Sequence, residues 1–158
     1  SMRAAEDLRI DLTVRNSDSS PFTIEEALHA YLAVGDVRTI VIDGLTGADY
    51  VDKALGGARC TQSGHLRIEG RTDRSYRSTN SIEVHDPILK RTLVIAKRGS
   101  ASTIVWNPGP ELAETMSDIG PDAWSGFVCV EAGNVLDDAI TVQSGEEHTI
   151  SYLLSVQA

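Results

Sequence analysis

Hydrophobic and polar residues alternate with a period of two along much of this chain. Leu8, Ile10, Leu12 and Val14 fall on one face of residues 8–15, with Arg9, Asp11, Thr13 and Arg15 on the other. That pattern predicts a half-buried antiparallel strand. Asn16-Ser17-Asp18-Ser19-Ser20-Pro21 is a turn cluster. A strand is predicted over 37–43, where Thr39-Ile40-Val41-Ile42 is strongly β-favouring. Residues 48–55 are short and mixed. Alternation returns at 65–69, and residues 70–76 then form a dense polar junction. Residues 81–85 and 89–97 predict a hairpin turned at Asp86-Pro87, where proline presets the backbone dihedral. Residues 102–106 read as a strand stopped by Asn107-Pro108-Gly109-Pro110. The pair 139–142 and 148–156 flanks a turn at Gly145.

Two stretches carry more information. Residues 22–34 fit a short amphipathic helix, which Glu, Ala and Leu favour. They also fit a strand with Ile24, Glu26, Leu28, Ala30 and Leu32 on one side and Thr23, Glu25, Ala27, His29 and Tyr31 on the other. The neighbouring strands and the Gly35-Asp36 turn favour the strand. Residues 127–135 read as a buried strand, with Val128 and Val130 facing one way and Phe127, Cys129 and Glu131 the other. Only 111–117 reads as helix, with Pro110 suited to its first turn. About ten short strands with turn signals between them and one short helix predict an all-β sandwich or a related multi-sheet architecture.

Composition narrows the function classes. A length of 158 residues favours one domain with a real core. Ser1-Met2 reads as an expression scar, leaving residues 3–158 as that domain. The net charge of -9 argues against a nucleic-acid surface and gives no general attraction for anions. No apolar run reaches membrane-spanning length and no signal peptide is visible. Cys60 and Cys129 have neither metal-ligand nor redox spacing, so buried free thiols in a reducing cytoplasm are expected.

Candidate chemistry is sparse. There is no glycine-rich phosphate loop, no His-x-x-x-His pair and no nucleophile elbow. His65 and His85 are expected at the surface, and His148 as a structural residue at a strand entry, so no metal site is expected. His29 stands between Ala27 and Tyr31 on one strand face, a small residue and an aromatic around an imidazole. Asp73 is ringed by Arg71, Arg74 and Arg77. Glu131 ends an apolar run, where an ionised carboxylate needs either a wet cleft or a partner. On pattern alone the commoner alternatives stay open: a satisfied histidine, a surface ion-paired aspartate and a solvated strand-end glutamate.

The motifs in order resemble a known family. Ala27-Leu28-His29-Ala30-Tyr31 before Val34-Gly35-Asp36 is similar to the Ala-Leu-His-Thr-Tyr motif of the hexose-6-phosphate mutarotases. These form the glucose-6-phosphate 1-epimerase branch of the aldose 1-epimerases. Asp43-Gly44-Leu45-Thr46-Gly47 with Tyr50 and Asp52-Lys53 resembles the family's Gly-Leu-x-Gly…Tyr-x-Asp-Lys stretch, and Thr72-Asp73-Arg74-Ser75-Tyr76 its Thr-Asp-Arg-x-Tyr junction. Val105-Trp106-Asn107-Pro108, Met116-Ser117-Asp118-Ile119-Gly120 and Val128-Cys129-Val130-Glu131-Ala132-Gly133-Asn134 continue in family order.

The resemblance implies a galactose-mutarotase-like β-supersandwich, built here from mostly antiparallel sheets with one short helix. It implies an isomerase that exchanges the anomers of a hexose 6-phosphate, with no metal or organic cofactor. The family's catalytic histidine falls on His29, its catalytic glutamate on Glu131 and a sugar-binding aspartate on Asp73. Ala30 stands where the family usually has Thr, and Gly109 where it has Trp.

The match aligns to the C-terminal half of the family fold. The arginines that bind the sugar phosphate belong to the N-terminal half. Three settings stay open: an excised fragment, a naturally short relative, or half of an assembly completed by a second copy or by a complementing N-terminal half. The alternative to catalysis is a β-sandwich that binds a carbohydrate or a protein without turning anything over.

Overall fold

The computed structural model describes residues 2–4 and 7–157. Ser1 of the expected scar and Ala5, Glu6 and Ala158 of the expected domain lie outside the described residues, whereas Met2 pairs with Ile10 in the first strand.

Fifteen strands are present among the described residues. The first five are β1 (Met2–Ala4), β2 (Leu8–Arg15), β3 (Phe22–Ile24), β4 (Glu26–Leu28) and β5 (Tyr31–Ala33). Next come β6 (Val41–Asp43), β7 (Asp49–Asp52), β8 (Ala58–Thr61), β9 (Thr72–Arg77) and β10 (Ile82–Asp86). The last five are β11 (Arg91–Arg98), β12 (Ser102–Asn107), β13 (Phe127–Asn134), β14 (Ile140–Val142) and β15 (Glu147–Gln157). The one α-helix among the described residues, α1, is Gly109–Ala113.

A six-stranded sheet runs β1-β2-β15-β11-β10-β6. A seven-stranded sheet runs β4-β13-β12-β9-β7-β8, with β5 also paired to β13. β3 and β14 form a separate two-stranded ribbon. All of these pairings are antiparallel.

Between the two large sheets lies the core. Ile82, Val84, Leu93, Ile95, Ile150 and Tyr152 of one sheet meet Tyr76, Val105, Val128, Val130 and Ala132 of the other. Each fully buried aliphatic side chain contributes about 1.5–3 kcal/mol, so this layer fixes which way every strand faces. Inward placement of Val128, Val130 and Ala132 forces Phe127, Cys129 and Glu131 to the opposite face of β13, because the side-chain period is two.

The expected all-β, mostly antiparallel architecture with one short helix is what forms. Residues 22–34 are extended, as the flanking turns suggested, but broken into three strands. Other boundaries shift for local reasons. Residues 37–39 are a turn, because Asp36 accepts the Arg38 backbone N–H through Oδ1 (2.9 Å) and that of Thr39 through its carbonyl (3.0 Å). Side-chain bonds of this kind compete with a ladder. Val37 and Ile40 are nevertheless fully buried. Residues 65–69 form only a single bridge, Leu66 to Ile42. The expected polar junction at 70–76 is instead the central strand β9, paired on both sides. β14 and β15 do not pair with each other: β14 joins β3, and β15 lies between β2 and β11. The helix starts earlier than expected and is shorter. Gly109 opens it at φ +66°, where a Cβ would lie 2.5 Å from the Arg71 nitrogen.

Candidate active site

The outward face of the seven-stranded sheet is a grid whose rows are set by register. One row crosses β13, β12, β9, β7 and β8 as Glu131, Ile104, Ser75, Val51 and Arg59. The next row places Tyr31, Cys129, Trp106 and Asp73 side by side. Leu28 pairs with Ala132 and Tyr31 with Cys129, so His29, in the gap between β4 and β5, stands opposite Glu131. The expected histidine and glutamate are therefore direct cross-strand neighbours, and Asp73 shares their face two strands away.

His29 Nε2 lies 3.3 Å from Glu131 Oε1. The imidazole is half exposed, at 46%, whereas the carboxylate side chain is only 5% exposed. Burial, with the nearby Asp73 charge adding to it and Lys53 opposing it, pushes the Glu131 carboxyl up to about 7. Burial also pushes the His29 imidazole below its ordinary value of 6.5. Both groups thus favour their neutral forms. The two shifts together favour the neutral pair, with the proton on Glu131. Asp73 is half-buried and accepts no hydrogen bond from the described residues, so its carboxylate is open to a ligand.

Three rings, of Tyr31, Trp106 and Phe127, close one side of the pair. His29 stacks on Tyr31 with centroids 4.9 Å apart, and Trp106 meets His29 edge-on at 5.8 Å. Phe127 contacts Tyr31 at 5.2 Å and Trp106 at 6.1 Å. Tyr31 is 54% exposed, so the cluster offers an apolar wall with a polar tip beside the carboxylate. Asn107 holds the rim. Its Nδ2 donates to the carbonyls of Trp124 and Phe127 (2.8 and 2.9 Å), and its Oδ1 accepts the Gly109 N–H (2.9 Å). A tryptophan at position 109 would not fit against Arg71, so the aromatic surface comes from Trp106, Tyr31 and Phe127.

Sequence patterning did not single out Trp106 and Phe127 as site residues. Their alternation with Val128 and Val105 carries the information, but only once the partner strands are known. Cys129 lies in the middle of the aromatic row, yet it is fully buried and its thiol is pushed well up by desolvation, so it is inert as a nucleophile. Both cysteines are free. His65 and His85 both contact the Asp43 carboxylate on the outer face of the other sheet, and His148 contacts Glu26 at 2.9 Å. Among the described residues no group of three or more His, Cys, Asp or Glu side chains is placed to hold a metal ion. No helix among them is long and apolar enough to cross a membrane.

Comparison with known proteins places this geometry in context. Residues 1–155 match the family described as aldose 1-epimerase. A Cenchrus ciliaris protein named "Putative glucose-6-phosphate 1-epimerase" is 33% identical over 145 residues, covering 89% of this chain and 44% of the relative. A Salmonella typhimurium protein of the same name is 35% identical over 112 residues, covering 70% of this chain and 38% of the relative. The chain thus spans less than half the length of these relatives. A crystal structure of a "putative mutarotase" from Salmonella typhimurium superposes with a TM-score of 0.88 at 26% identity, covering 98% of this chain and 51% of that one. A galactose mutarotase-like protein from Lactobacillus casei shares the fold, with a TM-score of 0.70 at 12% identity over 95% of this chain and 59% of its own.

Proposed function

The chain belongs to the aldose 1-epimerase family, and on that premise we propose that it interconverts the α and β anomers of a hexose 6-phosphate. The observation that carries this is the cross-strand pair: a buried carboxyl with a raised pKa, 3.3 Å from a half-exposed imidazole on an open sheet face.

Anomer exchange opens the pyranose ring, turns the C1 carbonyl and closes the ring on its other face. Opening needs a base for the C1 hydroxyl proton and an acid for the ring oxygen, and closure reverses both. The two oxygens share one carbon, so acid and base must stand close together, as His29 and Glu131 do. A proton moved across their contact gives carboxylate and imidazolium, the form in which Glu131 is the base and His29 the acid of the opening step. Each contributes roughly 10²–10⁴-fold. Raised and lowered pKa values keep that proton transferable near neutral pH. Asp73 accepts hydrogen bonds from ring hydroxyls and holds the sugar in register. The Tyr31–Trp106–Phe127 wall covers its apolar face. We place the reaction in the cytoplasm, in keeping with the two free thiols.

Saturation-transfer NMR of glucose 6-phosphate tests the proposal. The folded protein should accelerate anomer exchange, and His29→Ala or Glu131→Gln should each remove at least 10²-fold of that acceleration. Sugar binding with no acceleration would return the chain to the non-catalytic alternative.

A further inference from the structure

The outer face of the six-stranded sheet lies on the far side of the sandwich from the His29–Glu131 pair, and it carries its own cavity of about 370 Å³. One register row forms the floor: Val41, His85, Thr92 and Gln157, crossing β6, β10, β11 and β15. At about 4.8 Å per strand that row is roughly 14 Å long. Lys90 and Arg91, at the β10–β11 hairpin, complete the wall. The volume lies within the range of small-molecule sites. We propose that this cavity binds a small phosphate monoester at a site separate from the catalytic face. Its phosphate sits over Lys90 and Arg91, and its neutral body points towards Pro87, Val41 and Thr39.

Charge selects an anion here. Lys90 and Arg91 take part in no ion pair among the described residues, whereas Arg9, Arg38, Arg59, Arg74 and Arg77 each hold a carboxylate. Asp86 is the one carboxylate in the lining. It is 2% exposed and already accepts the backbone N–H groups of Gly35 (2.9 Å), Ile88 (3.1 Å) and Leu89 (3.0 Å). Asp43 and Glu83 belong to the next row on that face, beyond His85 and outside the lining.

Arg91 is held ready for a ligand. Its Nη2 donates to the Ala33 carbonyl at 2.6 Å, which fixes the guanidinium, while its buried Nε has no hydrogen-bond partner. A buried, unpaired donor is uncommon and costly. A guanidinium presents its N–H groups as a planar fork that matches two phosphate oxygens, and the Lys90 ammonium adds a second charge beside it. Free phosphate would fill only the cationic end of so long a row. An ester extends its body over the apolar Pro87 and Val41 and reaches the Thr39 hydroxyl.

Calorimetry of the whole chain with glycerol 3-phosphate, which has no anomeric centre, tests the site. The ester should bind and glycerol should not. Lys90→Asn removes the charge and suits the left-handed φ of +51° there. That substitution and Arg91→Ala should each weaken binding about tenfold. Unchanged affinity in Lys90→Asn would overturn the proposal. So would loss of binding in Glu131→Gln, which would place the ester on the opposite face. Inorganic phosphate should bind more weakly than the ester, and equal affinities would reject the ester as the ligand. In NMR spectra the ester should shift the backbone amides of residues 90–92 and of 33–35, because Arg91 joins the two segments. Shifts confined to the surroundings of His29 and Glu131 would reject the site.

Discussion

The fold favours the protonated form of Glu131. Its carboxyl holds a proton up to about pH 7 in the folded chain, but only to the ordinary 4.5 when unfolded. The folded state therefore binds the proton more tightly. Folding stability falls as pH rises from 4.5 to 7, and the loss is complete above that window. Glu131→Gln removes the ionisable group and keeps its shape. It should abolish anomer exchange and raise stability at pH 8 by about 1–3 kcal/mol. Urea denaturation at pH 5 and pH 8 checks this: the wild type should weaken between the two, and the variant should not. Equal pH dependence in both would show that the buried carboxyl is not the cause. Residue patterning alone left Glu131 and His29 ambiguous, because a Glu at the end of an apolar run is usually solvated. Their order among the family's motifs singled them out. Their direct juxtaposition became visible only through the register of β4 and β5 against β13.

The short strand β4 positions His29, and a buried polar knot holds β4 in place. Glu26 Oε1 accepts from Asn134 Nδ2 at 2.9 Å and lies 2.9 Å from His148 Nε2, so β4, β13 and β15 are tied together just before His29. Asn134 also donates to the Gly99 carbonyl at 2.7 Å. Gly133 allows this close approach, since a Cβ there would lie 3.1 Å from the Glu26 carbonyl oxygen and 2.5 Å from Ile104 Cδ1. Glu26→Ala should lower stability by about 1–3 kcal/mol and reduce kcat with it, because a buried donor loses its acceptor. Glu26→Gln, which keeps an oxygen for Asn134, should recover most of both. Urea midpoints and saturation-transfer rates distinguish this from a purely structural role, in which stability would fall and kcat would not. Elements of this kind are poorly legible in sequence. The apolar alternation identified β10, β11, β12 and β13 because at least one face of each is buried between the sheets, and it identified β2 although its apolar face is only half-buried, with Leu12 exposed. It missed β9, whose Thr72, Ser75 and Tyr76 are buried polar or amphipathic residues held by pairing on both sides.

At the scale of the whole molecule, charge and topology matter most. A net charge of -9 creates a field that opposes a phosphorylated sugar, while the Lys53 ammonium lies near enough to Glu131 to act on its carboxyl. Added salt screens that field. The KM for glucose 6-phosphate should therefore fall as ionic strength rises from about 10 mM to about 150 mM. A rise would show that local cations hold the phosphate. The fold class was readable because many short alternating segments admit few architectures. The partnering of strands was not, because it depends on contacts between distant segments. The His29–Glu131 contact has a consequence for how the proposed site is assembled. Its two members lie about a hundred residues apart in sequence, joined only through pairing of the short β4 and β5 to β13. Closing so long a loop is entropically slow, and contacts of high sequence separation form late. The proposed catalytic pair is thus expected to assemble late in folding. Residues 26–33 must therefore wait for residues 127–134 before the two side chains can meet.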